Sequence, residues 1–317
     1  MPKLILFLLS LLAFGALAQK KAAPTPVAKQ PLTHAVYDNW KEIPYKQLTP
    51  DGSVAVLAVN PQDGDGKVIF YHLKTSIQDS VKRAAEIGLV YDSRQVVFKI
   101  KPQQKVVKEL RRQKKKKEDL PKDSLGIYHI SQRKTEKIPD VKSYKLPEKA
   151  GGWVAYQLEV KKEVKPKADA PKTEEKKPTP PARKRRANND DNGYTLVLRS
   201  LTDGKETQFG YVKDYTFAKF GQGLLFSSTG NDSTLKAGVY WYDLKNAQLT
   251  ALYTGKSKFK YKGLSVAEDG QQVAFLVDSD TTKALVRHFQ LHFGRQANRL
   301  RVFWMRRNRW PCRPIGW

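Results

Sequence analysis

Cysteine is nearly absent from this 317-residue chain: Cys312 stands alone, so no intramolecular disulfide can form. Stability must come from a packed core, and some 230 residues outside the charged segments described below are enough to build one. Long apolar runs are also missing after the N-terminus, so no second segment is suited to crossing a bilayer. Acidic residues are in the minority, 31 Asp and Glu against 58 Lys and Arg, a formal charge of +27. A Gly-x-Ser-x-Gly pentapeptide does not occur; Gly255-Lys256-Ser257-Lys258-Phe259 lacks the closing glycine.

The first residues read as an export signal. Lys3 gives a positive start, Leu4 to Leu17 is apolar, and Ala16-Leu17-Ala18 supplies small residues for cleavage after Ala18. The chain from Gln19 is then expected in a periplasm or outside the cell, with 19–33 as a linker.

The basic charge is localised. Segment 99–122 carries net +8, segment 161–187 net +7, and the tail from Arg287 net +8, leaving +4 for everything else. A nucleic-acid partner is not expected, because the charge lies in inserts behind an export signal and lacks interleaved aromatics.

A turn cluster followed by a short apolar run recurs five times. The copies are Asp51-Gly52-Ser53 before Val54-Ala55-Val56-Leu57, Asp92-Ser93-Arg94 before Val96-Val97-Phe98, and Gly151-Gly152 before Trp153-Val154-Ala155-Tyr156. Gly221-Gln222-Gly223 precedes Leu224-Leu225-Phe226-Ser227, and Asp269-Gly270 precedes Val273-Ala274-Phe275-Leu276. Near-continuous apolar runs of this length suit strands buried on both faces. The turns begin at 51, 92, 151, 221 and 269; with the two inserts removed the gaps are 41, 35, 43 and 48 residues. That is the length of a four-stranded propeller blade. A further strand follows each of the first four anchors, as in Ile69-Phe70-Tyr71-His72-Leu73 and Val239-Tyr240-Trp241-Tyr242-Asp243-Leu244. A β-sandwich also alternates strands and turns, but the long regular spacing favours an all-β partial propeller of four to five blades over 34–286.

Within it, 99–122 is expected to be a basic helix, with Pro102 at its first position and Lys114–Lys117 at the negative end of its dipole. The prolines and charges of 161–187 point to a disordered loop. Composition switches at 287: no lysine and eight arginines follow, with three of six tryptophans. This segment is read as out-of-frame translation, against the rival of an Arg/Trp-rich tail for anionic surfaces.

The stretches Tyr37-Asp38-Asn39-Trp40-Lys41-Glu42-Ile43, Leu48-Thr49-Pro50-Asp51-Gly52, Val96-Val97-Phe98-Lys99-Ile100-Lys101-Pro102 and Leu198-Arg199-Ser200-Leu201-Thr202-Asp203-Gly204 resemble exported bacterial serine peptidases of the prolyl oligopeptidase and dipeptidyl-peptidase family. The resemblance spans 34–286 and covers only that family's N-terminal propeller. It implies a domain that filters which peptides reach a separate hydrolase domain, here missing. No catalytic residue of the family can be carried onto any position, and the chain is expected to be inactive alone. The alternative is a stand-alone periplasmic propeller that binds or scaffolds.

No catalytic, cofactor-binding or metal-binding residue is assigned. His34, His72 and His129 are isolated. His288 and His292 have a spacing that could clasp a metal on a helix, but no third ligand is near. Asp190-Asp191 lies in turn-like sequence without the spaced ligands of a calcium loop. An open blade array would expose its terminal faces, so self-association is expected.

Overall fold

The computed structural model describes residues 40–159, 192–230, 235–282 and 288–295, the backbone of Arg301–Trp304, and His34 and Tyr37. The export signal, the 161–187 insert and Asp190-Asp191 lie outside the described residues.

From Trp40 onward the chain forms successive antiparallel meanders. Blade 1 comprises β1 (Lys41–Leu48), β2 (Val54–Pro61), β3 (Lys67–His72) and β4 (Ile77–Lys82). Blade 2 comprises β5 (Ala84–Leu89), β6 (Gln95–Ile100), β7 (Ser124–His129) and β8 (Lys134–Ile138). Blade 3 starts with β9 (Val141–Lys145), β10 (Trp153–Leu158) and β11 (Tyr194–Ser200), and its fourth strand is the first half of β12 (Glu206–Phe217). The second half of β12 opens blade 4, followed by β13 (Gly223–Ser228), β14 (Gly238–Asp243) and β15 (Gln248–Thr254). Blade 5 comprises β16 (Lys260–Val266), β17 (Gln272–Asp278), β18 (Phe289–Arg295) and β19 (Arg301–Trp304). The chain is all-β, of β-propeller type, with five four-stranded blades.

Side chains alternate across each sheet, and four buried clusters each join one blade to the next. Val54, Val56, Ala58, Val68 and Phe70 of blade 1 meet Val96, Phe98, Ile100 and Tyr128 of blade 2. The opposite face of blade 2, with Val97, Leu125 and Ile127, meets Val154, Tyr156 and Val197 of blade 3. Ala155, Leu196 and Leu198 then meet Leu224, Phe226, Tyr240 and Tyr242, and Leu225, Val239 and Trp241 meet Val273, Phe275 and Val277. The anchor runs are thus the second strand of each blade. They read as continuous apolar sequence in blades 2 to 4 because both faces are covered.

The anchor turns share one geometry. Residues Thr49, Val90, Ala218 and Ala267 each accept a hydrogen bond from the backbone N–H three positions on, and Gly52, Ser93, Gly221 and Gly270 have φ of 70°, 57°, 69° and 71°. A left-handed residue at that place favours glycine. The turns also stack: Ser93 Oγ accepts from Asp51 N–H at 3.1 Å. A Cβ on Gly151 would lie 2.4 Å from the Asp92 carboxylate.

The meander puts these turns at one edge and the β2–β3, β6–β7 and β10–β11 connections at the other. The basic insert is shorter than expected: Lys99 and Ile100 belong to β6, and helix α1 spans Gln104–Arg112. Pro102 precedes the helix, whose first turn is held by the neighbouring blade. Asp65 accepts the Gln104 N–H at 2.9 Å, and Lys108 pairs with Asp63. Lys114, with φ 55°, lies just past the helix end, so the lysine run falls outside it. The boundary expected at 286 falls within the β17–β18 connection, and 287–317 contributes β18, paired with β17 over seven residues, and β19. His292 there is buried against Phe275, with parallel rings 5.4 Å apart. Among the described residues no helix is long and apolar enough to cross a membrane.

Candidate functional site

First strands of blades 2 to 5 bound a funnel of about 720 Å³. Glu86, Ile87 and Gly88 come from β5, Tyr144 and Lys145 from β9, Thr216 and Phe217 from β12, and Val266 from β16. The anchor turns add Leu146, Glu148, Lys219 and Glu268 at its mouth. The volume is that of a small-ligand or short-peptide site.

Most charges in the funnel are internally matched. Glu86 receives Lys99 Nζ and Lys101 Nζ, each at 2.7 Å. Burial alone would raise the Glu86 carboxyl, but the two ammonium donors outweigh it and hold the group below the usual range. Tyr144 donates to the Glu86 carbonyl, and burial pushes its phenol well up. Lys145 donates to the Tyr215 carbonyl and lies 5.0 Å over the Tyr215 ring. Lys219 and Glu268, which hold the same place in successive anchor turns, form an ion pair that lowers the Glu268 carboxyl. Gly88 keeps the wall open, because a Cβ there would lie 2.9 Å from Leu146 Cδ1. Such a wall can orient and filter an extended chain through apolar contact and fixed charges.

Two denser polar clusters sit between blades. Arg133 grips Asp79 with Nε at 2.7 Å, Tyr128 OH donates to the same carboxylate at 2.7 Å, and His72 lies 2.9 Å from Tyr128 OH. The Arg133 hydrogen bond, with help from Tyr128, holds the Asp79 carboxyl far below its ordinary value. One blade on, Arg199 meets both oxygens of Glu136 at 2.7 and 2.8 Å, while Tyr156 OH donates to Glu206 at 2.8 Å. These look like acid–base constellations, yet each carboxylate is held by a guanidinium across a blade boundary. They are clamps between sheets.

Sequence reasoning missed both clamps, since their members lie up to 63 residues apart. Histidines singled out in the sequence separate in space. His72 belongs to the first clamp, and His129 stands 3.8 Å from Glu136. His292 lies in a strand rather than a helix, so four residues separate it from His288 by about 13 Å of chain. Burial lowers its imidazole. Among the described residues no group of three or more His, Cys, Asp or Glu is placed to hold a metal. Ser257 lies in the exposed β15–β16 turn and not at a strand-to-helix elbow.

No protein-family profile and no curated protein matches the chain. Among solved structures it is similar to the acylaminoacyl peptidase of Pyrococcus horikoshii, at 9% identity and TM-score 0.42, covering 82% of this chain and 39% of that one. It is also similar to the β-propeller domain of the trilobed protease from Pyrococcus furiosus, at 9% identity and TM-score 0.44, covering 84% and 72%. A prolyl endopeptidase matches at 8% identity and TM-score 0.44, covering 83% and 35%. The chain therefore spans less than half the length of the two whole enzymes.

Proposed function

We propose that this chain is the substrate-gating propeller of an exported serine peptidase of the prolyl-oligopeptidase type, with the hydrolase chemistry supplied by a domain outside it. The observation that carries the reading is the funnel: first strands of four consecutive blades enclose a peptide-sized space whose charges are largely paired within the chain. A gate needs such a wall, since matched charges leave entry to be decided by size and extension. The prologue and anchor motifs that resemble the family add support, and Gly-x-Ser-x-Gly is absent.

A fluorophosphonate probe applied to the purified chain tests the division of labour. No labelling is expected; labelling abolished by replacing one serine would place a nucleophile in this chain and overturn the reading. Export is part of the proposal, so the mature protein should begin at Gln19 by intact mass. Retention of residues 1–18 in the mature protein would contradict it.

A stand-alone periplasmic binding propeller is the second reading, and the matched clamps between blades favour it, because they make the array self-sufficient as a scaffold. The coding DNA separates the two: a shifted frame encoding a hydrolase elbow supports the peptidase, and a natural stop supports the scaffold.

A further inference from the structure

Inside the array every blade face is covered by the opposite-parity face of the next blade. Two faces fall outside this series. On blade 1, Ala55, Leu57 and Val59 of β2 alternate with the buried residues and are only half-buried, as are Ile69 and Tyr71 of β3. Cross-strand pairing puts Leu48, 55% exposed, on the same face opposite Ala55. On blade 5, Ala274 and Leu276 of β17 pair with Phe293 and Leu291 of β18. These point away from the Val273, Phe275 and Val277 cluster, and Phe293 is 36% exposed.

We propose that the outer face of blade 5 docks on the outer face of blade 1 in a second copy of this chain, repeating head-to-tail the contact that joins each blade to the next. Three observations point to that occupant. Both faces are apolar at the centre, as the covered ones are. They also have the parity that the next step of the series requires: blade 5 offers the side it would turn to a sixth blade, and blade 1 the side it would turn to a preceding one. Each is a sheet of four strands, roughly 19 Å by about 20 Å, so a matched pair buries an area at the low end for specific contacts. The contact is therefore reversible rather than permanent.

The rims give it an unusual salt dependence. Lys46, Lys67 and Lys82 share the outer face of blade 1 through their pairing with Leu57, Val59 and Lys67. Lys262 and Arg295 share that of blade 5 through Leu276 and Gln272. Docking brings like charges together around an apolar centre, so salt that screens the rim strengthens the association. An interface made by ion pairs would respond in the opposite sense.

Sedimentation equilibrium of the purified chain tests the proposal. Reversible association is expected, tightening by about threefold or more between about 50 mM and about 500 mM salt. Leu57→Glu with Ile69→Glu spoils one face, and Leu276→Glu with Leu291→Glu the other; each variant alone should be monomeric. Mixed in equal amounts they should form a dimer, because each retains the face the other lacks. If thermal melts show that a double variant is misfolded, Ala55→Lys and Ala274→Lys take its place. A monomeric wild type at about 100 μM, single-face variants that still associate, or a mixture that fails to pair would each overturn it.

Discussion

At the scale of single residues the fold depends on a few tight fits between blades. Phe98 is fully buried between blades 1 and 2, and Gly126 on the adjacent strand leaves room for its ring: a Cβ there would lie 2.4 Å from Phe98 Cε2. Phe98→Ala should lower unfolding stability by about 3–5 kcal/mol, read from urea denaturation, because the cavity cannot collapse under a sheet. A loss below about 1 kcal/mol would mean that this interface is not packed as described. Asp51 carries a pH signature. Hydrogen bonds from the Thr49 hydroxyl and the Ser53 N–H lower its carboxyl to about 2. A group depressed in the folded state stabilises above its unfolded value, near 3.8, and loses that contribution as pH falls toward about 2. The urea midpoint should fall between these values, and Asp51→Asn should flatten that part of the profile. An unchanged slope in the variant would remove Asp51 from the account.

At the scale of elements, helix α1 is a docked strap rather than a free excursion. Its first free N–H is met by Asp65 of the neighbouring blade's β2–β3 loop. Asp65→Ala should cost about 1 kcal/mol locally and speed hydrogen exchange at Val107 and Lys108, with the global melt little changed. Unchanged exchange would show that the helix is held elsewhere. This scale also separates what was legible in the sequence from what was not. Second strands stood out because burial on both faces makes a solid apolar run, and the turns before them because a left-handed position selects glycine. The seam between blades 3 and 4 did not stand out, since one continuous strand, β12, serves both blades and bends at Tyr211, whose φ is 56°. First and fourth strands such as Lys41–Leu48 and Lys134–Ile138 are largely exposed, so they lack the pattern that marks a core strand. The alternation in Phe289–Arg295 was masked by the arginine-rich composition around it. For the site, Glu86, Lys145 and Lys219 looked like solvated charge, because the partners that define them come from other blades.

At the scale of the whole molecule, the 161–187 insert interrupts blade 3 between β10 and β11, which pair over six residues from Trp153↔Ser200 to Leu158↔Thr195. Brief trypsin treatment should cut first near Lys184-Arg185-Arg186, and the two fragments should stay associated through that ladder and the clusters on either side. Early cuts distributed over the blades, or fragments that part, would contradict this organisation. The most direct test of the central claim is peptide binding at the funnel. A fluorescein-labelled, proline-containing octapeptide should bind the purified chain in an anisotropy titration. Thr216→Trp, which fills the funnel from the β12 wall, should weaken that binding by about tenfold or more, a loss of about 1.4 kcal/mol. Binding that is absent at about 1 mM peptide, or that is indifferent to Thr216→Trp, would contradict a gating role for this propeller.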